Sequence, residues 1–224
     1  MTQIRKDSLE NDFCYHIFSR SIAKYVVFND EEDYSRFTEI LELYKHRNFN
    51  FQYSKFIRFN PIDQSRIINE LQSDNDVWVE VIAFCLMPTH IHFLLKQKAE
   101  HGVSKFIGRI LNCYSRYFNV KHNRSGPLWT GRFKSVLVTT GEQLLHLTRY
   151  IHLNPASAGL VAKPEEWLNS SYNDYIDESH SRLADYSDLF PITPKEYKKF
   201  VMDRKDYQRE LSKIKSLIIE DYTG

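Results

Sequence analysis

The stretch "PTHIHFLL", residues 88–95, sets two histidines one residue apart in an apolar run. Strand side chains alternate faces, so His90 and His92 point one way and Ile91, Phe93 and Leu95 the other. Two imidazoles on one rigid strand can hold a divalent metal ion, and they can equally be ordinary strand histidines. Further along, "RYIHLNP" puts Tyr150 and Asn154 four residues apart, on one helix face. Imidazole and amide side chains can hold an ion that polarises a phosphodiester oxygen. A tyrosine hydroxyl beside that ion is a covalent nucleophile for phosphorus. The ion would ease the handicap of a phenol pKa of about 10. A water or a substrate phosphate would complete the metal's shell.

Those groups need elements to carry them. "FCYHIFSRS" (13–21) alternates and is rich in aromatics, which reads as a first strand. A helix follows over 29–47, with Asn29 or Asp30 as its cap, acids in its first turn, and Phe37, Ile40, Leu41 and Tyr44 at helical spacing. "VWVEVIAFCLM" (77–87) is a strand signal, Pro88 and Thr89 make a tight break, and "HIHFLLKQ" returns as an antiparallel partner. A helix from Val103 to about Val120 carries the apolar stripe Val103, Phe106, Ile107, Ile110, Leu111, Tyr114 and Tyr117. After the turn-rich "HNRSGPLW" comes a strand, "GRFKSVLVTT" (131–140). A last helix over 141–154 is stopped by Pro155. The order β-α-β-β-α-β, then a helix, is the split βαβ pattern. The fold class is therefore α+β: a ferredoxin-like antiparallel sheet with helices on one face. Residues 48–76 read as an insertion with a short helix at "SRIINELQ". Residues 193–222 read as one or two accessory surface helices in a helical C-terminal extension, 177–224.

The net charge of +1 hides a segregation. Between His101 and Gly141 there is no acid, while Lys105, Arg109, Arg116, Lys121, Arg124, Arg132 and Lys134 contribute +7, leaving −6 for the rest. A local basic field in a near-neutral chain reads as a polyanion-binding face, with a solvated helix surface as the plainer reading. The chain shows no run of 18 apolar residues and no apolar segment of a secretion signal at "MTQIRKDSLENDF". Cys14, Cys85 and Cys113 are scattered without a CxxC, which argues against a zinc knuckle and a disulfide framework. A cytoplasmic protein with no membrane association is expected.

Four segments in order, "YHIFSRS", "FCLMPTHIHFLL", "SRYFNVKHNRSGPLWTGRFKS" and "LTRYIHLNPASAGLV", resemble the tyrosine transposases of the IS200 type. The likeness is greatest to the REP-associated tyrosine transposases, and it covers roughly residues 13–176. These belong to the HUH nucleases, named for His, hydrophobe, His, which here is His90, Ile91, His92. The resemblance implies a catalytic domain over 1–176 in which His90 and His92 bind Mg²⁺ or Mn²⁺. It implies that Tyr150 attacks single-stranded DNA, leaving a 5′-phosphotyrosine and a free 3′-hydroxyl. In the insertion-sequence enzymes a glutamine four residues after the tyrosine is a third ligand; here that place holds Asn154. Relatives recognise DNA hairpins through basic surfaces, which makes Arg116, Lys121, Arg124, Arg132 and Lys134 candidate contacts. Trp129 is a candidate platform for stacking an unpaired base. Either a monomer or a homodimer with exchanged tyrosine helices is compatible. The alternative readings are a non-catalytic nucleic-acid binder on the same fold, and a structural protein whose histidines are core residues.

Overall fold

The computed structural model describes residues 8–177, 183–186 and 189–203. Four strands, β1 (Cys14–Arg20), β2 (Val79–Met87), β3 (His90–Gln97) and β4 (Lys134–Val138), form one antiparallel sheet in the order β2-β3-β1-β4. Helix α1 (Glu31–Tyr44) joins β1 to β2. That crossover also carries α2 (Tyr53–Phe56) and α3 (Pro61–Asp74). Helix α4 (Gly102–Lys121) joins β3 to β4. This is the split βαβ arrangement expected from the element order. The Asp30 side chain accepts the Asp33 N–H to cap α1, and three acids in its first turn complement the helix dipole.

Strand alternation separates two faces with different tasks. Tyr15, Ile17, Ile91, Phe93 and Leu95 pair within one face, and α1 and α4 cover it. The Phe37 ring lies 6.5 Å from Phe93, and Phe106, Ile107, Ile110 and Tyr114 of α4 are fully buried there. The opposite face carries His16, Phe18, Arg20, His90 and His92. It is covered by α5 (Gly141–Ser157), whose Leu147, Tyr150 and Ile151 are buried. The helices of the two βαβ units thus share one face as expected, while the last helix takes the other. Its position there is what lets a helix residue meet the histidines.

Three sequence expectations change. Residues 48–76 are no mere decoration: Phe49, Tyr53, Phe56, Ile67 and Leu71 are buried, and the helix expected at "SRIINELQ" runs the full length of α3. Helix α5 continues through Pro155 to Ser157. The proline removes a donor only in the final turn, where Leu160 N–H bonds its carbonyl and Ala158 N–H bonds that of Asn154. The segment just before the C-terminal extension, and the described part of the extension itself, are tied to the core through a few buried side chains rather than lying wholly on the surface. Residues 169–171 add backbone hydrogen bonds to the outer edge of β2 (Leu86 N–H to Asn169, 2.9 Å; Ser171 N–H to Phe84, 3.0 Å), covering an edge that could template pairing. Helices α6 (Tyr172–Ile176) and α7 (Pro194–Met202) then bury Tyr172, Tyr175, Tyr197 and Val201. The remainder of the helices expected over 193–222 lies outside the described residues. Among the described residues no helix is long and apolar enough to cross a membrane.

Candidate active site

Residues paired across antiparallel strands point to the same face, so the register lists the site's floor. One row runs Lys134, Phe18, His92; the next runs Arg20, His90. His90 starts β3 directly after the two-residue turn Pro88–Thr89. The carbonyls of that turn accept Ser21, Val27 and Phe28 N–H, which ties it to the chain leaving β1. The Thr89 hydroxyl lies 3.0 Å from His90 Nδ1. The His90 and His92 rings stand edge to face, 5.0 Å apart. From above, the Tyr150 ring meets His92 at 5.8 Å and 90°, and His16 at 6.2 Å and 81°. The structure therefore brings the Tyr150 ring to the sheet face that carries His90 and His92, a meeting that the spacing within each segment does not itself fix.

Burial sets the protonation of these groups. Desolvation, then the charge of Arg20, pulls the His90 pKa down to about 4. Desolvation, then its histidine neighbours and Arg20, holds His92 well below the ordinary value. Neutral imidazole is the metal-ligating form. His92 Nδ1 is engaged by His16 Nε2 at 3.2 Å, while His92 Nε2 is buried and has no partner. An orphaned buried nitrogen is costly unless something fills the place, so a divalent ion fits this residue. Among the described residues no three of His, Cys, Asp and Glu converge as ligands. Two imidazoles thus need a different third donor, such as an amide, water or phosphate oxygen. Asn154 follows Tyr150 by one turn and is buried. Its amide nitrogen donates to the Tyr150 carbonyl at 3.0 Å, leaving the oxygen as the atom that could ligate.

Behind α5 a buried polar chain fixes the helix. His152, two residues after Tyr150, has Nδ1 2.6 Å from the Tyr197 hydroxyl and Nε2 2.8 Å from the Ser171 hydroxyl. The Tyr197 hydroxyl also donates to Thr148 at 3.0 Å, and Ser171 Oγ accepts the Phe84 N–H of β2 at 2.8 Å. His152 is walled by Tyr172, Tyr175 and Tyr197, and burial lowers its pKa to about 3. Between pH 6.5 and 3 the unfolded chain then binds a proton at this position that the folded chain refuses. Stability is full above about 6.5 and falls as acid is added, by up to about 1.4 kcal/mol per pH unit for this group. Urea unfolding at pH 7.5, 6 and 5 should show this slope, and His152→Gln should reduce it, leaving the share from the other buried histidines, His46, His90 and His92. An equal slope in the variant would remove His152 from the account.

The basic residues do not form one face. Lys105 and Arg109 lie over the Trp78 and Tyr44 rings. Lys121 sits in an acidic cage at the surface, 2.9 Å from the exposed Asp30, 2.8 Å from the buried Asp33 and 3.4 Å from the exposed Glu32, so these acids balance its charge. Those pairings compete with its role as a candidate DNA contact. Trp129, the candidate stacking platform, is 7% exposed beside Tyr114. Arg124 is pinned by Asn119 (2.9 Å) and the Pro127 carbonyl (3.0 Å). Arg116 is exposed on α4, which covers the face opposite the histidines. Arg132 is exposed near β4, and Lys134 shares the histidine face. Sequence reading missed His16 and Arg20. Their signal was available: His16, Phe18 and Arg20 occupy alternate positions of the first strand, hence one face. Arg20 lies across from His90, its guanidinium 5.3 Å from the Phe18 ring, and among the described residues no carboxylate pairs with it.

Known proteins share this chain's sequence pattern and fold. Residues 10–154 match the family model described as "Transposase IS200 like". A Haemophilus influenzae protein named as a REP-associated tyrosine transposase is 32% identical over 106 residues, 42% of this chain and 59% of that protein. The match thus spans about three-fifths of the relative's length. A solved REP-associated tyrosine transposase bound to a REP hairpin superposes with a TM-score of 0.53 at 14% identity, covering 86% of this chain and 99% of the other, which is a likeness of fold. With the family model spanning residues 10–154, both histidines, the tyrosine and Asn154 fall inside the matched segment, and the chain belongs to the IS200-like transposase family.

Proposed function

We propose that this chain is a metal-dependent, single-stranded DNA endonuclease and strand transferase of the HUH type, acting through Tyr150. The observation that carries the reading is the Tyr150 ring set against His92, whose buried Nε2 has no partner. His90 and His92 would hold Mg²⁺ or Mn²⁺, with the Asn154 amide oxygen as the candidate third protein ligand. When bound, the ion supplies Lewis-acid polarisation of a phosphodiester oxygen. Tyr150 gives its proton to solvent, and its oxygen forms the new bond to phosphorus. The bond to the 3′ oxygen breaks, and that oxygen gains a proton and departs as the 3′-hydroxyl. Arg20 beside His90 supplies positive charge where the phosphate's negative charge must sit. The solved relative's bound REP hairpin supports hairpin DNA as the partner.

The test is a covalent-adduct assay with labelled hairpin oligonucleotides and Mn²⁺. A slow, protease-sensitive DNA band on a denaturing gel is expected from the native chain and not from His90→Ala. Intact DNA binding without adduct on hairpins from its own genome would favour the non-catalytic binder.

Charge placement makes a separate prediction. Arg20→Ala and Lys134→Ala should each flatten the log affinity versus log salt line for single-stranded DNA by about 0.7, one released counterion each. Lys121→Ala should leave that slope unchanged while lowering stability, because it strips the counter-charge from buried Asp33. A slope that responds to Lys121 and ignores Arg20 would reverse the assignment.

A further inference from the structure

We infer that His16 is a positioning residue for the metal site: its Nε2 accepts the Nδ1–H of His92, which holds the His92 Nε2 lone pair toward the ion. This inference rests on the proposed metal reading and goes beyond it, since the motif contains only His90 and His92. His16 and His92 lie on adjacent strands one step apart on the same face, with Leu94 opposite His16 and Phe18 opposite His92. Their nearest ring nitrogens are 3.2 Å apart, the ring planes differ by only 13°, and the centroids are 5.4 Å apart. That separation is what two imidazoles joined edge to edge through one N–H···N bond give. The rings therefore meet in plane, where the lone pair of the acceptor lies.

The direction of the bond follows from the other nitrogen. His92 Nε2 is the buried atom without a partner. A proton there would be an unsatisfied donor, whereas a lone pair there can ligate. A neutral imidazole carries one proton, so Nε2 as ligand requires the proton on Nδ1. That proton then goes to His16 Nε2, and the proton of His16 sits on its own Nδ1. His16 is fully buried, so this bond is shielded from competition by water. The same contact excludes His16 as a third ligand, because the nitrogen facing the site is already engaged, in keeping with the absence of a three-residue ligand cluster among the described residues. Groups that orient a ligating histidine typically change metal affinity 10–100-fold when removed.

The test measures Mn²⁺ binding to the full chain by the loss of the free-ion electron paramagnetic resonance signal, without DNA. His16→Phe keeps the ring's bulk and removes the acceptor, so the Mn²⁺ dissociation constant should rise about 10–100-fold. His16→Gln restores an acceptor oxygen and should lie nearer the native value. His90→Ala reports the metal reading itself. If His90→Ala weakens binding and His16→Phe does not, the His16 inference fails and the metal reading stands. If neither variant changes binding, the metal reading fails and takes the inference with it. Should His16→Phe not fold, ¹⁵N spectra of histidine-labelled native protein decide. A protonated Nδ1 and bare Nε2 on His92 are expected, and the opposite tautomer would overturn the inference.

Discussion

Tyr150→Phe should abolish cleavage and adduct formation while DNA affinity stays within about twofold. The variant removes one oxygen atom and keeps the ring that packs edge-on against His16 and His92. The floor of the site, its neutral imidazoles and the charge of Arg20 are untouched, so binding has no reason to change. Deleting an obligatory nucleophile typically costs about 10⁴-fold or more in rate. Stability should move by about 1 kcal/mol, the net value of one hydroxyl's hydrogen bonding. Single-turnover cleavage of a labelled hairpin, with affinity measured on the same batch, separates the two effects. Cleavage persisting within tenfold of native would show that another group attacks the phosphate. A parallel collapse in affinity would mean that the hydroxyl holds the site together rather than reacting.

Tyr197→Ala should be among the most destabilising single changes in the described chain, although Tyr197 lies far outside every motif. The side chain is fully buried against Tyr172, Tyr175 and His152. Removing a buried aromatic ring costs about 3–5 kcal/mol. The change also strips His152 Nδ1 and Thr148 of a common partner. Such a loss is a large fraction of the 5–15 kcal/mol that typically holds a domain folded. Tyr197→Phe separates the two contributions: it keeps the packing, leaves His152 Nδ1 unsatisfied, and should cost about 1–3 kcal/mol. Because Thr148 and His152 flank Tyr150 on α5, the phenylalanine variant should also slow cleavage more than it weakens DNA binding. Urea unfolding and single-turnover rates check both points. A cost below about 1 kcal/mol for Tyr197→Ala would return the C-terminal segment to the surface role that its charged composition suggests.

That segment shows where reading the sequence reaches its limit. "TPKEYKKFVM" carries four charged residues in ten, and on a short helix Tyr197 and Val201, four apart, are the main signal of a buried face. Nothing in that spacing says which surface they cover, because the partner, His152, lies 45 residues earlier. The surroundings of Lys121 and Trp129 were hidden for the same reason. A lysine in an acid-free stretch looks available until the fold brings it to Asp30 and Asp33, some ninety residues away. A tryptophan in a turn-rich loop looks open until the loop pairs back onto Ser21.

What the sequence determined by itself rests on local rules. Period-two alternation put His90 and His92 on one face, helical spacing aligned Tyr150 with Asn154, and the order of elements implied the split βαβ sheet. These patterns survive because strand pleat and helix pitch are properties of the backbone, the same wherever the segment lies. Only the tertiary structure decided that α5 covers the histidine face, that His16 and Arg20 join the site, and that α7 holds α5 from behind. Those outcomes depend on contacts between residues far apart in the chain, and burial and charge pairing are fixed only once such residues meet.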